Sequence, residues 1–330
     1  MSATMSPSPS PHFHSRGAWF LMVLAFLSCA ILFVRATNST NVYSTGFEKT
    51  EGYNPVLELA GQKGWVKDTS STGGNGLRAN FLGSQGGYVG LIPLKPTADV
   101  IYVWQPIDFF AVQDGFPIVN FSVSMAIDDS SNGQWDNFDW SVFNAQGDKL
   151  FSIDFDNYAL EVNYALDDTN GFIFSGLTFA TNAPYTLNLT MDFAHNTWGA
   201  TLSGLTVATN LPITTTGAPL NLGDIDAVWG IYYTNAPGNN FMVFDNYTIT
   251  ASPAPSPLPP QLTSLGMGPN GEFLLHLAGS SGFQFAIDAT TNFSQWTPLK
   301  TNVVTGGSFD FFDNAAPGFP TRFYRARFVP

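Results

Sequence analysis

The chain contains one cysteine in 330 residues, Cys29. An intramolecular disulfide is therefore excluded, and packing alone must hold the fold together. Positive charge is scarce as well: 12 Lys and Arg stand against 25 Asp and Glu, and Lys149 is the only cation between Lys95 and Lys300. Because a phosphate backbone is bound through Lys and Arg, we expect no nucleic-acid partner.

Glutamate is also rare. Five of the acidic residues are Glu and the rest are Asp, which favours turns and caps over helix interiors. Aromatic residues, by contrast, are abundant, with 30 Phe, 11 Tyr and 8 Trp available for a large core. Together with the many Gly, Asn and Thr, this composition predicts a mostly β protein.

A long apolar run lies near the N-terminus, over residues 18–34. It is followed by Val34-Arg35-Ala36, whose small residues have the spacing of a cleavage site. We predict a signal peptide over residues 1–36 and a secreted location, or one at the bacterial cell surface or outer envelope. An uncleaved membrane anchor is one alternative, because the run reaches the lower length limit of a span. A lipoprotein anchored through Cys29 is another. Membrane association is expected only if the segment is retained.

A proline-rich stretch divides the rest of the chain. Residues 252–260 read SPAPSPLPP, which predicts an extended linker. It separates a large segment, residues 41–251, from a small one, residues 261–330. Runs of alternating apolar and polar residues, such as Val119–Ile127, recur through the large segment between turn residues. The pattern predicts an all-β, two-sheet sandwich followed by a small C-terminal β domain.

The most informative stretch is Asp136–Asn157. A turn at residues 144–148 separates two strand-like runs. In the second run, alternate residues fall on opposite faces of the strand. One face holds Phe151, Ile153 and Phe155, and the other holds Ser152, Asp154 and Asp156. We therefore expect a sheet with an apolar inner face and an acidic outer face, which suits sugars, calcium or plain solvation.

Several segments of the large domain resemble a known family. These are Thr45–Glu48, Gly61–Trp65, Leu187–Gly204 and Val243–Tyr247. They resemble the concanavalin A-like lectin/glucanase jelly roll, in the laminin-G-like modules of secreted bacterial proteins. The resemblance implies a jelly-roll sandwich over residues 41–251.

The C-terminal segment resembles a small β module that ends many verrucomicrobial-type surface proteins. The matching residues are Phe285–Phe293, Trp296–Leu299 and Arg322–Arg325. The resemblance implies a surface location and no particular chemistry.

The loop over residues 128–139 has the spacing of a calcium loop. Its candidate ligands are Asp128, Ser130, Asn132, Gln134, Asp136 and Asp139, and Gly133 occupies the position of the sharp turn. The loop departs from the usual pattern in having Ser at position 3, Asp instead of Glu at position 12, and no flanking helix. A polar hairpin loop without metal is the alternative.

Sugar recognition requires an aromatic plate with polar partners around it. The candidate carbohydrate-binding residues are Trp135, Asp154, Asp156, Glu161 and Asn163. A glycosidase needs two carboxyl groups roughly 5 to 9 Å apart. Asp154 and Asp156 are about 7 Å apart along a strand, but the Glu-x-Asp-x-Glu motif of the family's hydrolases is absent. We therefore predict no catalytic residues.

These observations predict a secreted or cell-surface protein that binds a neutral glycan or the cell-envelope matrix without catalysis. A structural or adhesive surface protein with no small-ligand site is the alternative, and a glycoside hydrolase is a third. Calcium is the one candidate ion, and no other cofactor is expected.

Overall fold

A computed structural model describes residues 39–68, 73–79, 83–90 and 99–330. The predicted signal segment therefore lies outside the described residues. In the described part of the chain there are 21 strands and two 3-10 helices, Lys49–Glu51 and Ala316–Gly318, which confirms the all-β class. No helix in those ranges is long and apolar enough to cross a bilayer.

The described residues form two compact units, one ending at Pro255 and the other spanning Ser256–Pro330. The larger unit contains an eight-stranded and a seven-stranded sheet. Every strand pair in them is antiparallel, as the sandwich prediction requires.

The eight-stranded sheet has the order β13-β12-β11-β6-β15-β4-β3, and β1 pairs with β15 beside this path, all strands being numbered in chain order. Its strands are β1 (Thr40–Thr45), β3 (Asn75–Ala79), β4 (Gln85–Gly90), β6 (Ile118–Asp128), β11 (Tyr185–Asp192), β12 (Thr197–Leu202), β13 (Leu205–Pro212) and β15 (Phe241–Ser252).

The seven-stranded sheet has the order β10-β9-β8-β7-β14-β5-β2. Its strands are β2 (Val66–Lys67), β5 (Val100–Trp104), β7 (Asn137–Phe143), β8 (Lys149–Asp156), β9 (Glu161–Leu166), β10 (Ile173–Thr178) and β14 (Asp224–Gly230).

The core lies between the two sheets and is rich in aromatic rings. Trp140 on β7 packs within 5.4 Å of Phe121 and 5.3 Å of Phe244, ring centre to ring centre, and both of those residues belong to the opposite sheet. Trp65 and Trp229 are also fully buried. Burying a large apolar side chain stabilises the fold by about 1.5–3 kcal/mol. Packing of this kind substitutes for the missing disulfides.

The smaller unit contains two three-stranded sheets. One has the order β16-β17-β20 and the other β19-β18-β21. The strands are β16 (Gln261–Met267), β17 (Phe273–Ala278), β18 (Gln284–Thr290), β19 (Thr297–Val303), β20 (Ser308–Asp313) and β21 (Phe323–Val329). Leu275, Leu277, Phe285, Ile287 and Val304 form its buried core. The predicted small C-terminal β domain is therefore confirmed.

Candidate functional site: the acidic face of the seven-stranded sheet

Four adjacent strands, β9, β8, β7 and β14, direct acidic and amide side chains away from the core. Their register sets Asp139 opposite Asp154, and Asp154 opposite Asn163. The Nδ2 atom of Asn163 donates a hydrogen bond of 3.0 Å to Oδ2 of Asp154. We call this surface the acidic face. It consists of Asp139, Ser141, Ser152, Asp154, Asp156, Glu161, Asn163, Asp224 and Asp226.

The centre of the acidic face is buried. Ser152, Asp154 and Asp226 are exposed by 0%, 2% and 4%. The hydroxyl of Ser152 has no hydrogen-bond partner. Buried polar atoms are almost always hydrogen-bonded, so this hydroxyl is an exception. The centre of the face therefore differs from an ordinary solvated sheet surface.

Two pairs of carboxyl groups lie on this face. Burial, and then the charge of Asp154, raises the pKa of Asp139 well above its ordinary value. Burial likewise raises the pKa of Asp154, against the effect of hydrogen bonds from Asp139 and Asn163. Asp139 therefore holds the proton and donates it toward Asp154, because two adjacent carboxylates cannot both ionise cheaply.

The second pair lies two residues apart on β14. Burial, and then the charge of Asp224, raises the pKa of Asp226 well above its ordinary value, and burial also raises the pKa of Asp224. Asp226 lies opposite Ser141, which in turn lies opposite Ser152. The two serines thus lie in the same row as Asp226, and the Asp139–Asp154 pair occupies the neighbouring row of the face.

Aromatic side chains border the same face. Tyr232 is 56% exposed, and its hydroxyl accepts a hydrogen bond of 3.2 Å from Nδ2 of Asn137. Burial, and then the charges of Asp156 and Asp154, raises the pKa of Tyr232. Tyr232 thus offers an exposed ring next to the start of β7.

The structure brings the predicted carbohydrate-binding residues to one region. Asp154 faces Asn163, and Asp156 faces Glu161 in the next row. Trp135 packs edge-on against Tyr158, with 6.2 Å between ring centres, and the backbone N–H of Tyr158 donates to Oδ1 of Asp156 at 2.9 Å. Sequence reasoning missed Tyr232 and Asp226. Asp226 lies on β14 and Tyr232 follows that strand, and no sequence motif links this region to the Asp136–Asn157 stretch.

The predicted calcium ligands have separate roles in this structure. Asp136 is buried, and its carboxylate accepts hydrogen bonds from Nε1 of Trp229 at 3.0 Å, N–H of Tyr232 at 3.1 Å and N–H of Gly238 at 2.8 Å. Asp139, three residues later, points to the acidic face. The two carboxylates therefore turn to opposite sides of the β7 chain.

In the first half of the same loop, the side-chain amide of Asn132 makes three hydrogen bonds. The Ser130 hydroxyl donates to Oδ1 of Asn132 at 2.8 Å, and Nδ2 of Asn132 donates to the carbonyl of Pro237 at 3.0 Å. The backbone N–H of Gln134 also donates to Oδ1 of Asn132. Burial raises the pKa of Asp128. Across the described ranges, no group of three or more His, Cys, Asp or Glu side chains is arranged to hold a metal ion. The six candidates do not converge in this arrangement, and calcium binding stays a prediction.

Comparison with known proteins gives distant likenesses only. No family model matches the chain, and no curated protein matches it. Among solved structures, a sialidase aligns over 64% of this chain and 18% of its own length, with 8% identity and a TM-score of 0.45. A carbohydrate esterase of bacteriophage phi24B aligns over 65% of this chain and 99% of its own, at 12% identity and a TM-score of 0.45. Basic winged bean lectin aligns over 66% of this chain and 100% of its own, at 9% identity and a TM-score of 0.44. These values describe a likeness of overall fold and nothing finer.

Proposed function

We propose that this chain is a secreted or cell-surface, non-catalytic carbohydrate-binding protein, that its large unit is a concanavalin A-like jelly roll, and that the acidic face is its glycan site. The observation that carries the proposal is the exposed ring of Tyr232, whose hydroxyl is hydrogen-bonded to Asn137 at the start of β7, one of the four strands of the acidic face. Sugar sites combine an aromatic ring, which packs against the C–H face of a pyranose, with a few fixed polar groups that orient its hydroxyls.

The geometry of the carboxyl groups supports a role in binding rather than hydrolysis. Asp139 and Asp154 are hydrogen-bonded to each other, whereas glycosidases hold their two carboxyls roughly 5 to 9 Å apart so that a glycosidic bond or water fits between them. Asp156 accepts hydrogen bonds from the backbone of Tyr158 and Ala159, each at 2.9 Å, and thereby shapes the turn after β8. Neither arrangement resembles an acid paired with a nucleophile.

A glycan array probed with the full secreted chain tests the proposal. We expect binding to at least one glycan class, and we expect Tyr232→Ala to weaken it about tenfold or more, in line with loss of a packed aromatic contact. Leu205→Ala is the matched control, because Leu205 is 62% exposed on the opposite sheet. An array without any bound glycan, or binding that Tyr232→Ala leaves unchanged, would support the structural surface protein instead.

A further inference from the structure

One side of the small unit presents arginine and aromatic side chains together. Successive side chains of β21 point to opposite sides of the strand. Tyr324 and Ala326 pack against the buried core, so the three residues that alternate with them point away from it. The turn between β18 and β19 adds two more aromatic rings beside them. We call this surface the arginine–aromatic face; it consists of Phe293, Trp296, Phe323, Arg325 and Arg327.

The two guanidinium groups of this face share one buried carboxylate. Nε of Arg325 and Nε of Arg327 donate to Oδ2 of Asp288 at 3.0 and 2.9 Å, and Asp288 itself is buried. The two arginine side chains are nevertheless 45% and 42% exposed. Among the described residues, no other acceptor takes a hydrogen bond from either group. One carboxylate therefore fixes two cations in place, and one positive charge remains unbalanced at the surface.

Exposed aromatic rings adjoin the arginines. Phe293 is 55% exposed, and its ring centre lies 3.9 Å from that of Phe323 and 6.3 Å from that of Trp296. The guanidinium of Arg325 stacks on Trp296, with Cζ 4.3 Å from the ring centre. Aromatic and arginine side chains are enriched where proteins bind partners. The exposed rings are thus a second feature, independent of charge, that suits a ligand.

The sheet behind this face is positively charged in an otherwise acidic protein. Its strands β18, β19 and β21 carry Lys300, Arg325 and Arg327 against Asp288 alone, whereas the whole chain has a net charge of −13. Complementary charge directs a partner to one surface and away from others. An anionic partner is therefore complementary to this sheet.

We propose that the arginine–aromatic face binds an acidic polysaccharide, one whose pyranose rings carry carboxylate groups. A guanidinium matches a carboxylate through its fixed fork of N–H donors. The exposed ring of Phe293 packs against the C–H face of the same sugar. Two guanidiniums are few for a nucleic acid, whose affinity grows with the number of phosphates neutralised. This site lies within the small unit and does not rest on the function proposed for the acidic face.

Two ligands that differ in charge test the proposal. The hexamer of galacturonic acid and its methyl ester share length, linkage and ring, and only the acid carries carboxylates. Titrated into the full chain in one low-salt buffer, the acid should bind about tenfold more tightly than the ester, as expected for a gained charge-assisted hydrogen bond.

Variants of the face locate the effect. Arg325→Gln and Arg327→Gln should each remove most of the preference for the acid. Each leaves the other guanidinium on Asp288, so the buried carboxylate keeps a partner. Phe293→Ala changes no charge and should weaken binding of the acid about fivefold, through loss of the packed ring. Circular dichroism of each variant confirms that the strands are retained.

Lys300→Gln is the matched control. It removes an equal charge from the same sheet, at an exposed position. Lys300 lies opposite Ile287, a core residue, and therefore starts from the other side of the sheet. This variant should leave the preference for the acid intact.

Equal affinity for the acid and the ester would overturn the proposal, as would a loss in Lys300→Gln as large as that in Arg325→Gln. Tighter binding of a single-stranded oligonucleotide or of phosphatidylglycerol vesicles through the same arginines would assign a partner of another class and overturn it as well. If Tyr232→Ala abolished binding of the acid while the arginine variants retained it, the acidic sugar would belong to the acidic face instead. Glycan binding through Tyr232 should be unchanged in the arginine variants, so the two sites succeed or fail separately.

Discussion

Asp136 ties three segments of the chain together through one carboxylate. Its oxygens accept hydrogen bonds from the side chain of Trp229 and from the backbone of Tyr232 and Gly238. We expect Asp136→Ala to lower the free energy of unfolding by about 3 kcal/mol, because three buried donors lose a charged acceptor. Urea unfolding followed by tryptophan fluorescence measures this.

The control for that measurement is Asp114→Asn, which removes an exposed carboxylate and should change stability by no more than about 0.5 kcal/mol. A similarly small effect of Asp136→Ala would mean that the loop after β14 is held by other contacts. Tyr232 lies in this loop and its backbone N–H donates to Asp136, so Asp136 also positions the aromatic border of the acidic face.

Asp139 makes stability depend on pH. Its pKa in the folded state is raised, mainly by burial, above the unfolded value of about 3.9. The native state therefore binds more protons than the unfolded chain between that value and the raised pKa, and the free energy of unfolding falls as pH rises through this window. Asp139→Asn should flatten that fall, because the amide does not ionise.

Urea titrations at several pH values above about 4 check this expectation. Asp114→Asn should retain the slope of the native protein. A slope that Asp139→Asn leaves unchanged would assign the pH dependence to other carboxyl groups with raised pKa values, such as Asp224 and Asp226.

The sequence predicted which side chains face away from the core, but not which of them meet across neighbouring strands. Alternation along β8 predicts that Asp154 faces away from the core, and the structure agrees. The spacing of residues 128–139 predicted Asp139 as a calcium ligand, and the structure places it on β7 opposite Asp154. Spacing along the chain could not separate these roles, because the deciding contact lies across two strands.

At the scale of elements, a β-bulge decides which residues meet. The β7–β8 register shifts between Val142 and Phe143, so Asp139 pairs with Asp154. Continued without the bulge from the Phe143–Lys149 pair, the register would set Asp139 against Ile153. A one-residue slip of this kind moves every side chain to the other face. The two strands and their turn could be predicted from the sequence, whereas the bulge has no comparable signal.

The start of β14 depends on a glycine. A Cβ atom on Gly223 would lie 2.3 Å from the carbonyl oxygen of Asn144 and 2.8 Å from the nitrogen of Ala145, both of which are backbone atoms. We expect Gly223→Ala to destabilise the protein by about 3 kcal/mol, since a backbone–backbone clash cannot be relieved by rotating a side chain. Thermal unfolding measures the loss.

Gly230, at the other end of β14, provides the comparison. A Cβ there meets nothing closer than 3.8 Å, so Gly230→Ala should be neutral or slightly stabilising. Equal effects of the two substitutions would mean that the strand shifts to admit the new methyl group.

At the scale of the whole molecule, the linker is the natural point of cleavage. β15 ends at Ser252 and β16 begins at Gln261, and five prolines lie in the segment between them. Limited proteolysis should cut within residues 252–260 and yield two fragments that keep their strand content, seen by mass spectrometry and circular dichroism. Resistance at this segment together with a single unfolding transition would argue for one cooperative body.

Fold class was accessible from the sequence because alternation and turn residues are local signals. The order of strands was not. β15 lies between β6 and β4, and β14 lies between β7 and β5, so each joins strands far away in the chain. Pairings of this kind follow from packing of the whole sandwich rather than from any short stretch of residues.

The pairing of β1 with β15 has a mechanical consequence. Thr40, where the first strand begins, lies opposite Ala251, near the end of the last strand of the sandwich. A pulling force applied between these two ends would act perpendicular to the β1–β15 strand pair. It would break the hydrogen bonds between the two strands one after another, whereas a force along the strands would load all of them together in shear. The sandwich should therefore lose β1 first, at low force, while its core stays closed.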